Sequence, residues 1–202
     1  MQEFGLVLAI TVLAVISPGG DFAMVTRNSY LHGRMAGICT AIGIALAIWL
    51  HVAYSILGVG LLLQTSPILL QMVKTIGALY LLYIAWQTWQ HPVANPMLQS
   101  QTSSHFTPWQ ALKTGLISNA FNPKTTLFVL SLYSQVIGMN TAMSTLLAYG
   151  LLISLAHLLW FSVVALALSQ TKIRQYLLAK QHAVNKGIAC VLMLLAGILL
   201  LT

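Results

Sequence analysis

Charged residues are scarce in this chain of 202 amino acids, where they make up 5% of the total, and Glu3 and Asp21 are the only two acids. Cysteine is also scarce. The two cysteines, Cys39 and Cys190, lie in separate apolar segments and form no CxxC motif. The chain has too few carboxylates, thiols and clustered histidines for a metal centre, and no nucleophile stands beside a base. We therefore expect no enzyme active site, no bound metal and no cofactor.

Hydrophobic residues make up 58% of the chain, above the usual share of a soluble domain. Four continuous apolar segments each have near the roughly 20 residues that cross a bilayer. They are residues 37–63, 68–89, 145–168 and 183–201. The first apolar residues have no basic segment before them, so we expect no cleaved signal peptide. The composition predicts an all-α integral protein of the lipid bilayer.

Two further apolar segments are interrupted by helix-breaking residues, SPGGD at 17–21 and NPK at 122–124. Proline suits the first turn of a helix, and Ser17 and Asn122 suit the cap before it. Each motif therefore predicts the start of a half-helix. Because main-chain polar groups need partners inside a bilayer, we expect both interruptions to be buried in protein or to line a cavity.

The two halves of the chain resemble each other weakly. The spacing that brings Pro18 onto Pro123 brings His51 to within one residue of His157. We therefore predict a single domain with six transmembrane helices in two inverted repeats, whose first and fourth helices are broken. The predicted parts are repeat 1 over 1–90, a polar loop over 91–108 and repeat 2 over 109–202.

The basic residues lie between the apolar segments, so the net charge of +7 predicts membrane topology rather than nucleic-acid binding. Arg27 and Arg34 flank the first connection, Lys113 the third, and residues 172–186 carry a basic cluster. The positive-inside rule places these connections and the 91–108 loop in the cytoplasm, and both termini outside. If the broken first segment does not cross, five spans remain and the amino terminus lies inside.

Asp21 and Lys124 fall at the two matching interruptions. Ionisable groups are costly inside a membrane and point to function. One acid and one base at facing helix starts suit a zwitterion. The alternative is that Asp21 is an ordinary first-turn residue at the membrane surface and that Lys124 extends to the lipid headgroups.

Candidate substrate-binding residues are Asp21, Lys124, Asn122, Asn119, Pro18, Gly19, Gly20 and Pro123. Candidate proton-coupling residues are Asp21, His51 and His157. For the two histidines, and for Asn122 as a plain helix cap, a structural role in the interior is the alternative.

Three segments of the chain resemble the LysE/RhtB family of amino-acid exporters, and the resemblance extends over essentially the whole chain. They are SPGGDFAMVTRNSYLHGRMAG, IGALYLLYIAWQTW and KTGLISNAFNPKTTLFVLSLYSQ. In that family the first motif is usually Pro-Gly-Pro followed by Asp or Asn, whereas Gly20 replaces the second proline here. Ser134 also stands where the family often has proline. The resemblance implies a multi-pass protein of the bacterial inner membrane that works in the export direction.

These observations predict a secondary transporter that exports neutral amino acids such as threonine, homoserine or leucine by proton antiport. Asp21 would bind the substrate ammonium and Lys124 the carboxylate, and a proton taken up by Asp21 would release the substrate. A doubly charged cation such as lysine would need a second buried acid. The alternatives are export of another small metabolite or cation, and a passive channel or structural membrane subunit. The oligomeric state is open, with a homodimer among the options.

Overall fold

The computed structural model describes residues 2–65, 67–90, 106–137 and 141–168, and in addition 180, 182–183, 185–187, 189–190, 193–194 and 196–197. The helices are α1 Gln2–Ile16, α2 Gly20–His32, α3 Arg34–Thr65, α4 Pro67–Gln90, α5 Pro108–Ala120, α6 Pro123–Val136 and α7 Met143–Leu168. All regular structure in these ranges is helical, which confirms the predicted all-α class for the described part of the chain.

The long apolar segments form the long helices, since α3, α4 and α7 each contain one of the predicted spans. Within the described residues, Arg34–Val59 and Met143–Ala167 are long and apolar enough to cross a membrane. Helices α1 and α2 pass the same test only as a pair, which is bent by 53°. The predicted span 183–201 lies largely outside the described residues. Six crossings in two inverted repeats therefore stay a prediction.

Local sequence sets the starts of α5 and α6. The Thr107 hydroxyl accepts the main-chain N–H of Gln110 at 3.2 Å, and the Gln110 side chain accepts the Thr107 amide at 2.8 Å, which is a capping box. Helix α5 therefore begins at Pro108, the last residue of the predicted loop. The Asn122 side chain accepts the amide of Lys124 at 3.0 Å, and Pro123 takes the first helical position. The predicted Asn122 cap is confirmed.

The predicted start of α2 is wrong. Helix α2 begins at Gly20 after an extended Gly19, so Pro18 lies in the connection and not in the first helical turn. The Ser17 amide still donates to a carbonyl of α1, and its hydroxyl is hydrogen-bonded to Thr88 of α4. Because this hydroxyl is already engaged with α4, it does not cap α2.

Helix α3 lies at the centre of the bundle and contacts α2, α4, α5, α6 and α7. It approaches α5 most closely, where Gly43 lies against the main chain at Leu112 and Gly115 lies against the Thr40 carbonyl. A Cβ atom at either glycine would overlap these main-chain atoms. Small residues permit this close helix packing, which joins the first half of the chain to the second.

Candidate functional site

Two interruptions of the helical chain meet at one cavity. The first break, residues 17–19, separates α1 from α2, and the second break, residues 121–122, separates α5 from α6. The polar side of the cavity is lined by Ser17, Gly19, Gly20, Asp21, Asn122, Lys124 and Thr125. The structure thus brings the predicted acid and the predicted base to the same place, although they are about half the chain apart in sequence.

Asp21 lies in the first turn of α2 and is only 6% exposed. Its Oδ2 accepts hydrogen bonds from the side-chain amides of Asn119 and Asn122, both at 2.8 Å, and from the Thr125 hydroxyl at 3.3 Å. Its Oδ1 is buried and has no hydrogen-bond partner among the described residues. The carboxyl group is therefore fixed through one oxygen and has the other available for a donor in the cavity.

Lys124 lies at the start of α6, where a positive charge is unfavourable for the helix dipole. Its ammonium extends to the first break and donates to the main-chain carbonyls of Ser17 at 2.6 Å and Pro18 at 3.4 Å. Its partners are therefore carbonyls at the carboxyl end of α1, where a cation is favourable, rather than an anion or bulk water. In the described part of the chain, Lys124 and Asp21 form no ion pair.

The two breaks are connected in both directions. Asp21 from beside the first break binds amides of the second half, and Lys124 from beside the second break binds carbonyls of the first break. Each charged side chain therefore forms hydrogen bonds with groups of the opposite half, which are side-chain amides for Asp21 and main-chain carbonyls for Lys124. We call these two sets of bonds the reciprocal contacts.

Replacement of Lys124 by methionine is expected to destabilise the protein by about 2 kcal/mol, because the charge-assisted hydrogen bond to the Ser17 carbonyl is lost. The apparent melting temperature in detergent measures this effect. Lys113→Met is the matched control, since Lys113 is exposed and packs over the Trp109 ring. Equal melting temperatures for the two variants would contradict the assigned role of Lys124.

The two predicted histidines have different surroundings. His51 does not line the cavity; its Nε2 donates to the main-chain carbonyl of Asn119 at 3.1 Å, and its Nδ1 is hydrogen-bonded to the Tyr54 hydroxyl. His157 does line the cavity, and its Nδ1 donates to the carbonyl of Ile153 at 2.8 Å. His51 thus supports the end of α5, whereas His157 is part of the cavity wall.

The remaining predicted residues differ in their relation to the cavity. Gly19 and Gly20 line the cavity, and Pro18 contributes a carbonyl to Lys124. Asn119 does not line the cavity itself, but it donates to Asp21 and Thr125, which do. Pro123 is exposed, and its carbonyl accepts the Tyr80 hydroxyl at 3.3 Å, so the structure does not bring Pro123 into the site.

Sequence reasoning missed Thr125 and the aromatic part of the cavity wall. Thr125 bonds to Asp21 and also accepts from Asn119 at 3.1 Å. Its place in the first turn of a predicted half-helix was the available signal. Phe22, Phe128 and Phe161 also line the cavity. They gave no signal, because phenylalanine in an apolar chain is most often a packing residue. The described ranges contain no group of three or more histidine, cysteine, aspartate or glutamate side chains that could hold a metal ion.

Long apolar helices around a buried polar cavity define an integral membrane protein. A model of the LysE type translocator family matches residues 12–202, which include both breaks and all of α2 to α7. The chain belongs to this family.

Several bacterial proteins are similar to the chain over most of its length. The uncharacterized membrane protein YahN of Escherichia coli strain K12 is 24% identical over 93% of this chain and 84% of its own. A threonine efflux protein of Salmonella typhimurium is 25% identical over 87% of this chain and 86% of its own. A leucine efflux protein of Klebsiella pneumoniae is 26% identical over 92% and 89%. No solved structure matches the chain significantly.

Proposed function

We propose that this protein is a secondary transporter that exports neutral amino acids across the bacterial inner membrane in exchange for protons. The observation that carries the proposal is the unpartnered, buried Asp21 oxygen in a cavity that also contains the Lys124 ammonium. Membership of a translocator family supports transport, and relatives named threonine and leucine efflux proteins support amino acids as the substrates.

The two charged groups match the two ends of a zwitterion. The substrate ammonium donates to Asp21 Oδ1, which has no other partner in the described chain. The substrate carboxylate binds Lys124 and the positive amino-terminal end of α6. Among the described residues that line the cavity, Asp21 and Lys124 are the only ones of the types aspartate, glutamate, lysine and arginine. This lining favours a substrate whose side chain is uncharged.

Binding requires the two breaks to move apart. The cavity has a volume of about 20 Å³, enough for about one water molecule, and an amino acid is many times larger. A bound zwitterion would replace the reciprocal contacts. A second N–H of an ammonium that binds Asp21 Oδ1 competes with the Asn119 and Asn122 amides for Oδ2, and the substrate carboxylate competes with the Ser17 carbonyl for Lys124. Substrate binding is therefore coupled to the separation of the two breaks, as the gating of a transporter requires.

Asp21 couples the movement to protons in this mechanism. As a carboxylate it holds the substrate ammonium, and as a neutral acid it does not, so a proton arriving from outside displaces the amino acid. His157 is the histidine able to exchange a proton with Asp21 within the cavity, because both line it. His51 acts indirectly by holding the Asn119 carbonyl.

The mechanism places the two breaks near the middle of the membrane, each within one broken span of an inverted repeat. The mutual bonding of the breaks supports this arrangement, since each repeat supplies one half of the site. With basic connections in the cytoplasm, both termini face the periplasm. Cysteine accessibility at the two termini in intact cells tests this orientation.

Inverted inner-membrane vesicles test the function directly. We expect vesicles that contain the protein to accumulate labelled leucine, valine or threonine when their lumen is acidic, and to accumulate no labelled lysine. A protonophore should abolish the accumulation, and vesicles without the protein provide the control. Flux down the substrate gradient that is unaffected by the protonophore would indicate a passive channel instead.

A further inference from the structure

The cavity is lined by two chemically different sets of residues. The polar part comes from the two breaks and the helix starts beside them. The other part is apolar and is contributed by α1, α2, α6 and α7. Its residues are Ala14, Val15, Phe22, Phe128 and Phe161, next to His157. Phe128 and Phe161 are each only 3% exposed, so the rings belong to the interior of the bundle.

The charged groups determine where a substrate side chain can lie. An amino acid whose ammonium binds Asp21 and whose carboxylate binds Lys124 has both ends of its backbone at the polar part of the wall. Its side chain must then occupy the remaining part, which is lined by the three phenylalanine rings. We propose that Phe22, Phe128 and Phe161 form a side-chain subsite that selects apolar amino acids over hydroxylated ones. This inference rests on the proposed function.

A hydroxyl group would find few partners in this subsite. Of the polar side chains in the lining, His157 lies beside the Phe161 ring with its Nδ1 already bonded to the Ile153 carbonyl, and the Thr125 hydroxyl is already bonded to Asp21 and Asn119. The centroids of the His157 and Phe161 rings are 6.0 Å apart. A substrate hydroxyl that does not reach the second nitrogen of His157 is buried without a partner, which is unfavourable. An apolar side chain of the same shape carries no such cost.

Valine and threonine are the most informative pair of substrates for the test. They have the same shape, and valine has a methyl group where threonine has a hydroxyl group. We expect valine to inhibit uptake of labelled leucine at a concentration at least about tenfold lower than threonine does; an apolar pocket can discriminate by up to about 100-fold. Purified protein in liposomes with an imposed proton gradient is suitable. Inhibition by threonine at the same or a lower concentration would overturn the subsite.

Two variants test whether the rings determine selectivity. Phe128→Leu and Phe161→Leu enlarge the subsite, so we expect each to increase the preference for leucine over valine by about tenfold. Phe4→Leu is the control, because Phe4 is 48% exposed and does not line the cavity. Selectivity is a ratio measured on one preparation, so a lower yield of folded protein does not affect it. An unchanged ratio in both cavity variants would overturn the subsite.

Failure of the subsite is distinct from failure of the proposed function. If no amino acid is transported or competes, the proposed function fails. If transport is proton-driven and threonine is preferred to valine, the function stands and the apolar subsite is refuted.

Discussion

Replacement of Asp21 by asparagine is expected to lower gradient-driven transport at least about 100-fold while the helical bundle stays folded. The asparagine carbonyl oxygen can accept the same amide hydrogen bonds, from Asn119 and Asn122, that Asp21 Oδ2 accepts. The variant lacks the negative charge that would hold the ammonium and the carboxyl group that would exchange a proton. The loss is therefore one of function rather than of folding.

Initial rates of uptake into inverted vesicles, at matched protein levels, measure this effect. Glu3→Gln is the control, because Glu3 is the only other acid of the chain. We expect this control to transport at the unmodified rate. If Asp21→Asn retains full coupling to the gradient, the proton role of Asp21 is refuted, and the family membership still supports translocation.

Replacement of Gly43 or Gly115 by alanine is expected to destabilise the protein by about 3 kcal/mol, because overpacking at a rigid contact falls at the upper end of the usual cost. The added Cβ would overlap the main chain at Leu112 or at Thr40. Main-chain atoms within a helix cannot move aside as the end of a flexible side chain can. The helices α3 and α5 would have to separate along their contact.

The yield of folded protein in detergent and its apparent melting temperature measure the cost. Gly58→Ala is the matched control, because Gly58 lies on the same helix as Gly43 and a Cβ there has no neighbour within 4 Å. Alanine favours helix more than glycine does, so we expect the control to be neutral or slightly stabilising. Similar melting temperatures for Gly43→Ala and Gly58→Ala would show that α3 and α5 pack less closely in the protein than they do in the structure.

Much of the fold is predictable because its signals are local. Length and apolar content predict α3, α4 and α7, and the Asn122-Pro123 pair predicts the start of α6. The start of α2 is not predictable in this way. Ser17 has the chemistry of a cap, but its hydroxyl is hydrogen-bonded to Thr88, a residue 71 positions away. A tertiary contact of this kind overrides the local preference.

The site is predictable in part because charge is so rare in the chain. With few ionisable residues available, one acid and one base at matching interruptions predict a common location, and Asp21 and Lys124 do line one cavity. The partner of Lys124 is not predictable, because every residue has a main-chain carbonyl and the sequence does not distinguish those of Ser17 and Pro18. Likewise, nothing in the sequence separates Phe128 from phenylalanines that only pack.

The reciprocal contacts have a consequence for small molecules that carry only one charge. A simple amine could replace the amides at Asp21 but would leave Lys124 bound to Ser17, and a simple carboxylic acid could release Lys124 but would leave Asp21 bound to Asn122. Either molecule undoes one attachment between the halves and leaves the second intact. In the proposed mechanism, a compound that carries both groups on one carbon frees the two halves together, so metabolites that have lost the amino or the carboxyl group would be retained in the cell.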